Sequence, residues 1–188
     1  FAPVDPYVLD SAYGAAKWEA ESALRRIALN TGLQVVIIRS PLVYGKGVKA
    51  NFDKMMRWLY LRRPLPLSAF TENRRSLVFL NNLIDLIILC VDHPVAANQT
   101  FMVSDDEDLS TVDLLVRTGT ALRRPARLFY VPPLLMKLAA KAVGKESVYQ
   151  RLSGSLQVDI SKTKKLLNWN PPFSVEDGLV DSVKGFYQ

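Results

Sequence analysis

Tyr13 and Lys17 stand four residues apart in an Ala/Glu-rich stretch, YGAAKWEAE. On a helix that spacing projects both side chains from one face. A phenol with a pKa near 10 is a poor acid–base group at neutral pH. An ammonium held beside it favours the phenolate and lowers that value. The same ammonium can donate hydrogen bonds to the hydroxyls of a bound ribose. With seven tyrosines in the chain, one such pair arises by chance with odds of about one in three. The pair therefore needs support from the rest of the sequence.

Other chemistries are excluded quickly. Cys90 is the only cysteine and His93 the only histidine, so neither a disulfide framework nor a zinc ligand set exists, and no metal site is expected. The 188 residues are 49% hydrophobic with a net charge of +6. That composition rules out disorder and provides a core burying roughly 70% of the unfolded surface. The most apolar stretch, Leu83 to Val91, is about half the length of a membrane span and contains Asp85. A reducing, cytoplasmic setting is expected. The basic residues fall as dispersed doublets, such as Arg25-Arg26 and Arg74-Arg75, without interleaved stacking aromatics, so no nucleic-acid partner is expected.

The elements that must position Tyr13 and Lys17 follow from periodicity and punctuation. Residues from Tyr7 to Asn30 read as a helix stopped at Gly32. Leu33 to Ile38 (LQVVII) reads as a strand buried on both faces, and SPLVYGKG as a loop. A helix is expected over Asn51 to Arg62, a strand over Ser76 to Leu80, a helix over Asn81 to Asp92 and a strand over Thr100 to Val103. Ser110 caps a further helix, and Arg127 to Val131 reads as a strand. Pro132-Pro133 opens a helix running to Gly144, SKTKKLLNW forms a short helix, and Ser174 with Asp177 sets a capping box for the last one. Helices alternating with short strands define an α/β class.

Four ordered segments support the Tyr/Lys pair: PYVLDSAYGAAKWEAE, TGLQVVIIRSPLVYGKG, RRSLVFLNNLIDLI and DISKTKKLLNWNPPFSVEDGL. The series resembles the nucleotide-sugar epimerase/dehydratase branch of the extended short-chain dehydrogenase/reductases, UDP-glucose 4-epimerase-like, over nearly the whole chain. The resemblance implies the C-terminal part of a Rossmann-type doubly wound fold plus a smaller mixed α/β substrate-binding region. Residues 1–48 would end the dinucleotide-binding domain. Residues 49–188 would form mainly the substrate-binding region, with a strand and helix near 75–95 returning to the Rossmann sheet.

The resemblance also implies roles. Tyr13 corresponds to the catalytic acid/base and Lys17 to its partner on the nicotinamide ribose of NAD or NADP. Pro41, Leu42 and Val43 match the turn lying against the nicotinamide, with Leu42 standing where many members have an asparagine. Asn51, Arg75 and, more loosely, Arg151 match residues that meet the substrate diphosphate, for which a helix N-terminus and a guanidinium are physically suited. A UDP-sugar is the implied substrate, with 4-epimerisation or 4-keto reduction in bacterial surface-polysaccharide synthesis as the implied reaction; the alternative is a non-catalytic binding or regulatory member of the same superfamily, against which the retention of both Tyr13 and Lys17 argues. The Tyr13 helix corresponds to a surface through which members form homodimers.

None of the nine glycines forms the Gly-rich dinucleotide fingerprint. Only 12 residues precede Tyr13, too few for the family's catalytic Ser or Thr. The expectation is therefore a truncated enzyme whose isolated chain neither binds the cofactor tightly nor turns over. Trp169 and Cys90 are expected to pack in the interior.

Overall fold

The computed structural model describes residues 12–47 and 51–186, and of residues 12, 13, 51 and 185 only the backbone. Helix α1 (Ala12–Thr31) comes first. It ends at Gly32, whose φ of +74° is the left-handed conformation a glycine supplies at low cost. Strand β1 (Ile37–Arg39) and strand β2 (Leu42–Tyr44) follow, separated by a tight turn. Then come α2 (Asn51–Tyr60), β3 (Arg75–Phe79), α3 (Leu80–Asp92), β4 (Thr100–Met102) and β5 (Asp108–Leu109). The remainder is helical: α4 (Thr111–Ala121), α5 (Pro133–Ala142), α6 (Glu146–Ser153), α7 (Ser161–Leu167) and α8 (Val175–Phe186).

Two small sheets organise these elements. Strand β1 runs parallel to β4, with Ile37 opposite Thr100. Strand β2 runs parallel to β3, with Leu42 opposite Leu77, while β5 pairs antiparallel to the start of β3. Strand β3 divides the interior, because alternate side chains leave it on opposite faces. Leu77 and Phe79 enter one core with Tyr44, Phe52, Met56, Leu115 and Leu179. Val78 enters a second core with Leu86, Cys90, Phe101, Leu167 and Trp169. Trp169 is buried and its Nε1 donates to Asp85 at 2.7 Å. Cys90 is buried, and desolvation pushes its thiol pKa up.

A buried polar hub ties the parts together. Asp105 accepts hydrogen bonds from the Phe79 N–H at 2.8 Å, the Asn82 amide at 2.7 Å and the Tyr44 hydroxyl at 2.7 Å. Asn82 also donates to the Phe173 carbonyl at 2.9 Å and accepts from the Phe173 N–H at 3.0 Å. Helix α8 approaches so closely that a Cβ on Gly178 would lie 2.7 Å from the Tyr44 hydroxyl. Burial raises the pKa of Asp105, its three hydrogen bonds opposing the shift, and it raises that of Tyr44 strongly, so the phenol stays neutral and donates.

Most of the expected elements form, and the exceptions have physical causes. The run LQVVII yields ladder only from Ile37. Leu33 is exposed, and Val35 is held by Asn98 Oδ1 at 3.1 Å rather than by a strand. SPLVYGKG is not all loop, since its LVY segment finds a parallel partner in Leu77–Phe79. Residues 127–131 make only a single bridge, Leu65 with Leu128. The capping boxes at Ser110 and at Ser174 both form.

Asp105→Ala would leave a hydroxyl, an amide and a backbone N–H without their acceptor, each at about 1–3 kcal/mol. A loss of several kcal/mol in urea unfolding is expected, with Asp105→Asn milder because it keeps one acceptor oxygen. The folded carboxyl titrates above its unfolded value, so wild-type stability is lost as pH rises through that window. The Asn variant lacks this slope, and its deficit should shrink from acid to neutral pH.

Candidate functional site

The first group of candidate residues sits where α1 meets the C-terminal end of β1. Tyr13, Lys17 and Glu21 recur at four-residue intervals along α1. Glu21 is buried and forms a two-pronged ion pair with Arg39, the last residue of β1, at 3.0 and 2.9 Å. This pair fixes the rotation of α1 relative to the turn that follows Arg39. The turn carries Pro41, half-buried, Leu42, 46% exposed, and Val43, half-buried against the second core. Lys17 is exposed one helical turn before Glu21. Tyr13 lies on the α1 backbone, but its side chain falls outside the described residues, as does that of Asn51 at the start of α2.

The second group sits at the start of β3. Residues 151–158 are laced to this strand entrance. Asn73 donates to the Leu152 carbonyl at 3.3 Å, and the Arg74 N–H donates to Ser155 Oγ at 3.0 Å. Leu156 exchanges backbone hydrogen bonds with Arg74 and Ser76 at 2.8 and 2.9 Å. Ser76 Oγ donates to Asp108 at 2.5 Å and accepts from the Val158 N–H at 2.8 Å. The lacing brings Arg75 and Arg151 together. Arg75 donates through Nη1 to the Arg151 carbonyl. Burial, and secondly the Arg151 charge, pull the Arg75 pKa below the ordinary arginine value. No carboxylate among the described residues forms an ion pair with either guanidinium.

Two cations held close without a carboxylate partner among the described residues could seat a multiply charged anion, and guanidinium geometry suits phosphate oxygens. The Gly45–Gly47 turn offers no such seat. A Cβ on Gly45 would lie 2.9 Å from Leu80 Cβ, so that glycine serves close packing. No cluster of metal-ligating side chains occurs among the described residues, and no described helix is long and apolar enough to cross a membrane.

These elements define an α/β protein of the Rossmann-type class. The chain belongs to the NAD dependent epimerase/dehydratase family, which matches residues 2–104. It is 45% identical, over all of its own length and 57% of the relative's, to a UDP-glucose 4-epimerase of Vibrio cholerae. Its fold matches a UDP-glucuronic acid 4-epimerase of Bacillus cereus in complex with NAD at a TM-score of 0.77 and 18% identity, covering 100% of this chain and 55% of that one. It also matches a UDP-N-acetylglucosamine 4-epimerase of Bacillus cereus at 0.74 and 16% identity, covering 95% and 56%. The chain thus spans just over half the length of these relatives.

Sequence reasoning singled out Arg75, and Arg151 more loosely, and the fold brings them together. It missed Glu21 and Arg39. The available signal was a lone arginine ending an apolar run, with a glutamate one turn beyond Lys17. Removing one member of this largely buried pair by Glu21→Ala takes the two-pronged carboxylate away from Arg39, at up to about 3–5 kcal/mol. Chemical unfolding of the variant should show a loss of that order, with Glu21→Gln retaining part of it.

Proposed function

We propose that the protein carrying this chain is an NAD(P)-dependent epimerase of a nucleoside-diphosphate sugar, acting at C4 of a UDP-linked substrate in the cytoplasm. The carrying observation is the Arg75–Arg151 pair: Arg75 donates to the Arg151 carbonyl and feels the Arg151 charge, and neither has an ion-pair partner among the described residues, which suits a diphosphate. The 45% identity to a UDP-glucose 4-epimerase supports this reaction over 4-keto reduction. Residues 1–48 then belong to the cofactor-binding part and residues 49–188 mainly to the substrate-binding part.

The roles follow from residue chemistry. Lys17, exposed on α1, would hydrogen-bond the cofactor ribose, and Pro41, Leu42 and Val43 would line the nicotinamide end. Lys17 also stabilises the phenolate of Tyr13, so that Tyr13 takes the proton of the sugar C4 hydroxyl and later returns it. The nicotinamide, when bound, supplies a hydride acceptor and then a donor. Arg75 and Arg151, with the start of α2 at Asn51, hold the diphosphate. Anchoring by the diphosphate would leave the sugar itself free to turn and to present either face of C4 to the nicotinamide end of the site.

In the whole enzyme, Tyr13→Phe should lower kcat by roughly a hundredfold to ten-thousandfold, the usual worth of a positioned acid–base. Interconversion of UDP-glucose and UDP-galactose, followed by proton NMR, reads this, and unchanged turnover would refute the assignment. Arg75→Gln and Arg151→Gln should each lower kcat/KM by about ten- to a hundredfold, chiefly through KM, as charge-assisted hydrogen bonds imply. The 188-residue chain alone contains no Gly-rich pyrophosphate turn. Calorimetric titration with NADH should therefore show no micromolar binding to it.

A further inference from the structure

Helix α5 is a poor fit to a protein that keeps its apolar side chains inside. None of its residues is fully buried. It is held by Met136, half-buried against the main core, and by packing against α6. Leu134, Leu135 and Leu138 are 68%, 56% and 56% exposed and project from the side opposite Met136 and Ala140. Lys137 and Lys141 flank this apolar arc along one edge of the helix. Just before it, Phe129 is 47% and Tyr130 67% exposed.

The net charge of the chain concentrates in the same stretch of sequence. Between residues 122 and 145 there are six basic side chains and no acidic one. The remainder of the chain is balanced, 18 basic against 18 acidic, so this stretch carries the entire net charge of +6. Of its cations, Arg123, Arg127, Lys137, Lys141 and Lys145 have no ion pair among the described residues.

We propose that this face, α5 with the preceding Phe129–Tyr130 segment, docks on an anionic lipid bilayer, leucines in the headgroup–acyl boundary and lysines against lipid phosphates. An amphipathic helix with leucines on one face, lysines beside them and aromatic residues at the margin is the pattern that lies in a membrane interface. Charge decides against the obvious alternative. A two-fold contact between copies through this face would set Lys137 and Lys141 of one copy against those of the other, whereas an anionic surface attracts both. The proposal is independent of the diphosphate reading, and its test requires no turnover.

The test is co-sedimentation of the whole protein with phosphatidylcholine vesicles containing about one-third phosphatidylglycerol, against pure phosphatidylcholine. Wild type should bind the anionic vesicles, release with salt, and bind the neutral ones weakly or not at all. Lys137→Gln with Lys141→Gln should weaken binding by about 30-fold, given the usual contribution of each cation near such a surface. Leu134→Ser with Leu138→Ser should abolish binding while leaving the melting temperature unchanged, since these side chains are exposed. No binding by wild type, or equal binding by wild type and both variants, would overturn the proposal. So would a leucine variant that turns an oligomer into a monomer in light scattering while wild type ignores vesicles.

Discussion

The architecture depends on one buried carboxylate. Asp105 gathers the end of β3, the first turn of α3 and the β2 tyrosine onto its two oxygens, and Asn82 extends the grip to the Phe173 segment that leads into α8. An aspartate in an apolar interior is costly unless its acceptor capacity is filled. Here the cost of burial and the three donors are coupled, so the parts it joins hold their relative positions. Tyr44 shows the same logic from the donor side, packed between Phe52 and Phe79 with its hydroxyl committed to Asp105.

What was legible in the sequence were features written locally. Capping boxes at Ser110 and Ser174, the glycine stop at Gly32 and the Pro-opened α5 depend on residues within one turn, and they form as read. Strands were less legible because a strand exists only through its partner. LVY in residues 42–44 becomes β2 because Leu77–Phe79 lies beside it, and 127–131 fails to become one because its pairing with the 65–68 segment stops at a single bridge. Helix α6, eight residues long with Val148, Tyr149 and Leu152 as its apolar positions, is too short to establish a period.

The candidate site divides the same way. The Tyr/Lys spacing could be read directly, since both lie on one helix. The proximity of Arg75 and Arg151 could not, because it is created by Asn73, Arg74, Ser76 and Asp108 acting on a segment some 80 residues later. Glu21 and Arg39 have the same character. Neither residue type suggests a function alone, but the fold gives them a positioning task beside the turn after β1.

The parallel pairing of β2 with β3 has a consequence for how the molecule comes into being. Leu42 must find Leu77, Ile37 must find Thr100, and Tyr44 must come within reach of Val175. Each meeting closes a long loop before it gains anything in return, which makes such topologies slow to assemble. The approach of Arg75 to Arg151 is one more closure of this kind, made where residues 151–158 lace onto the entrance of β3.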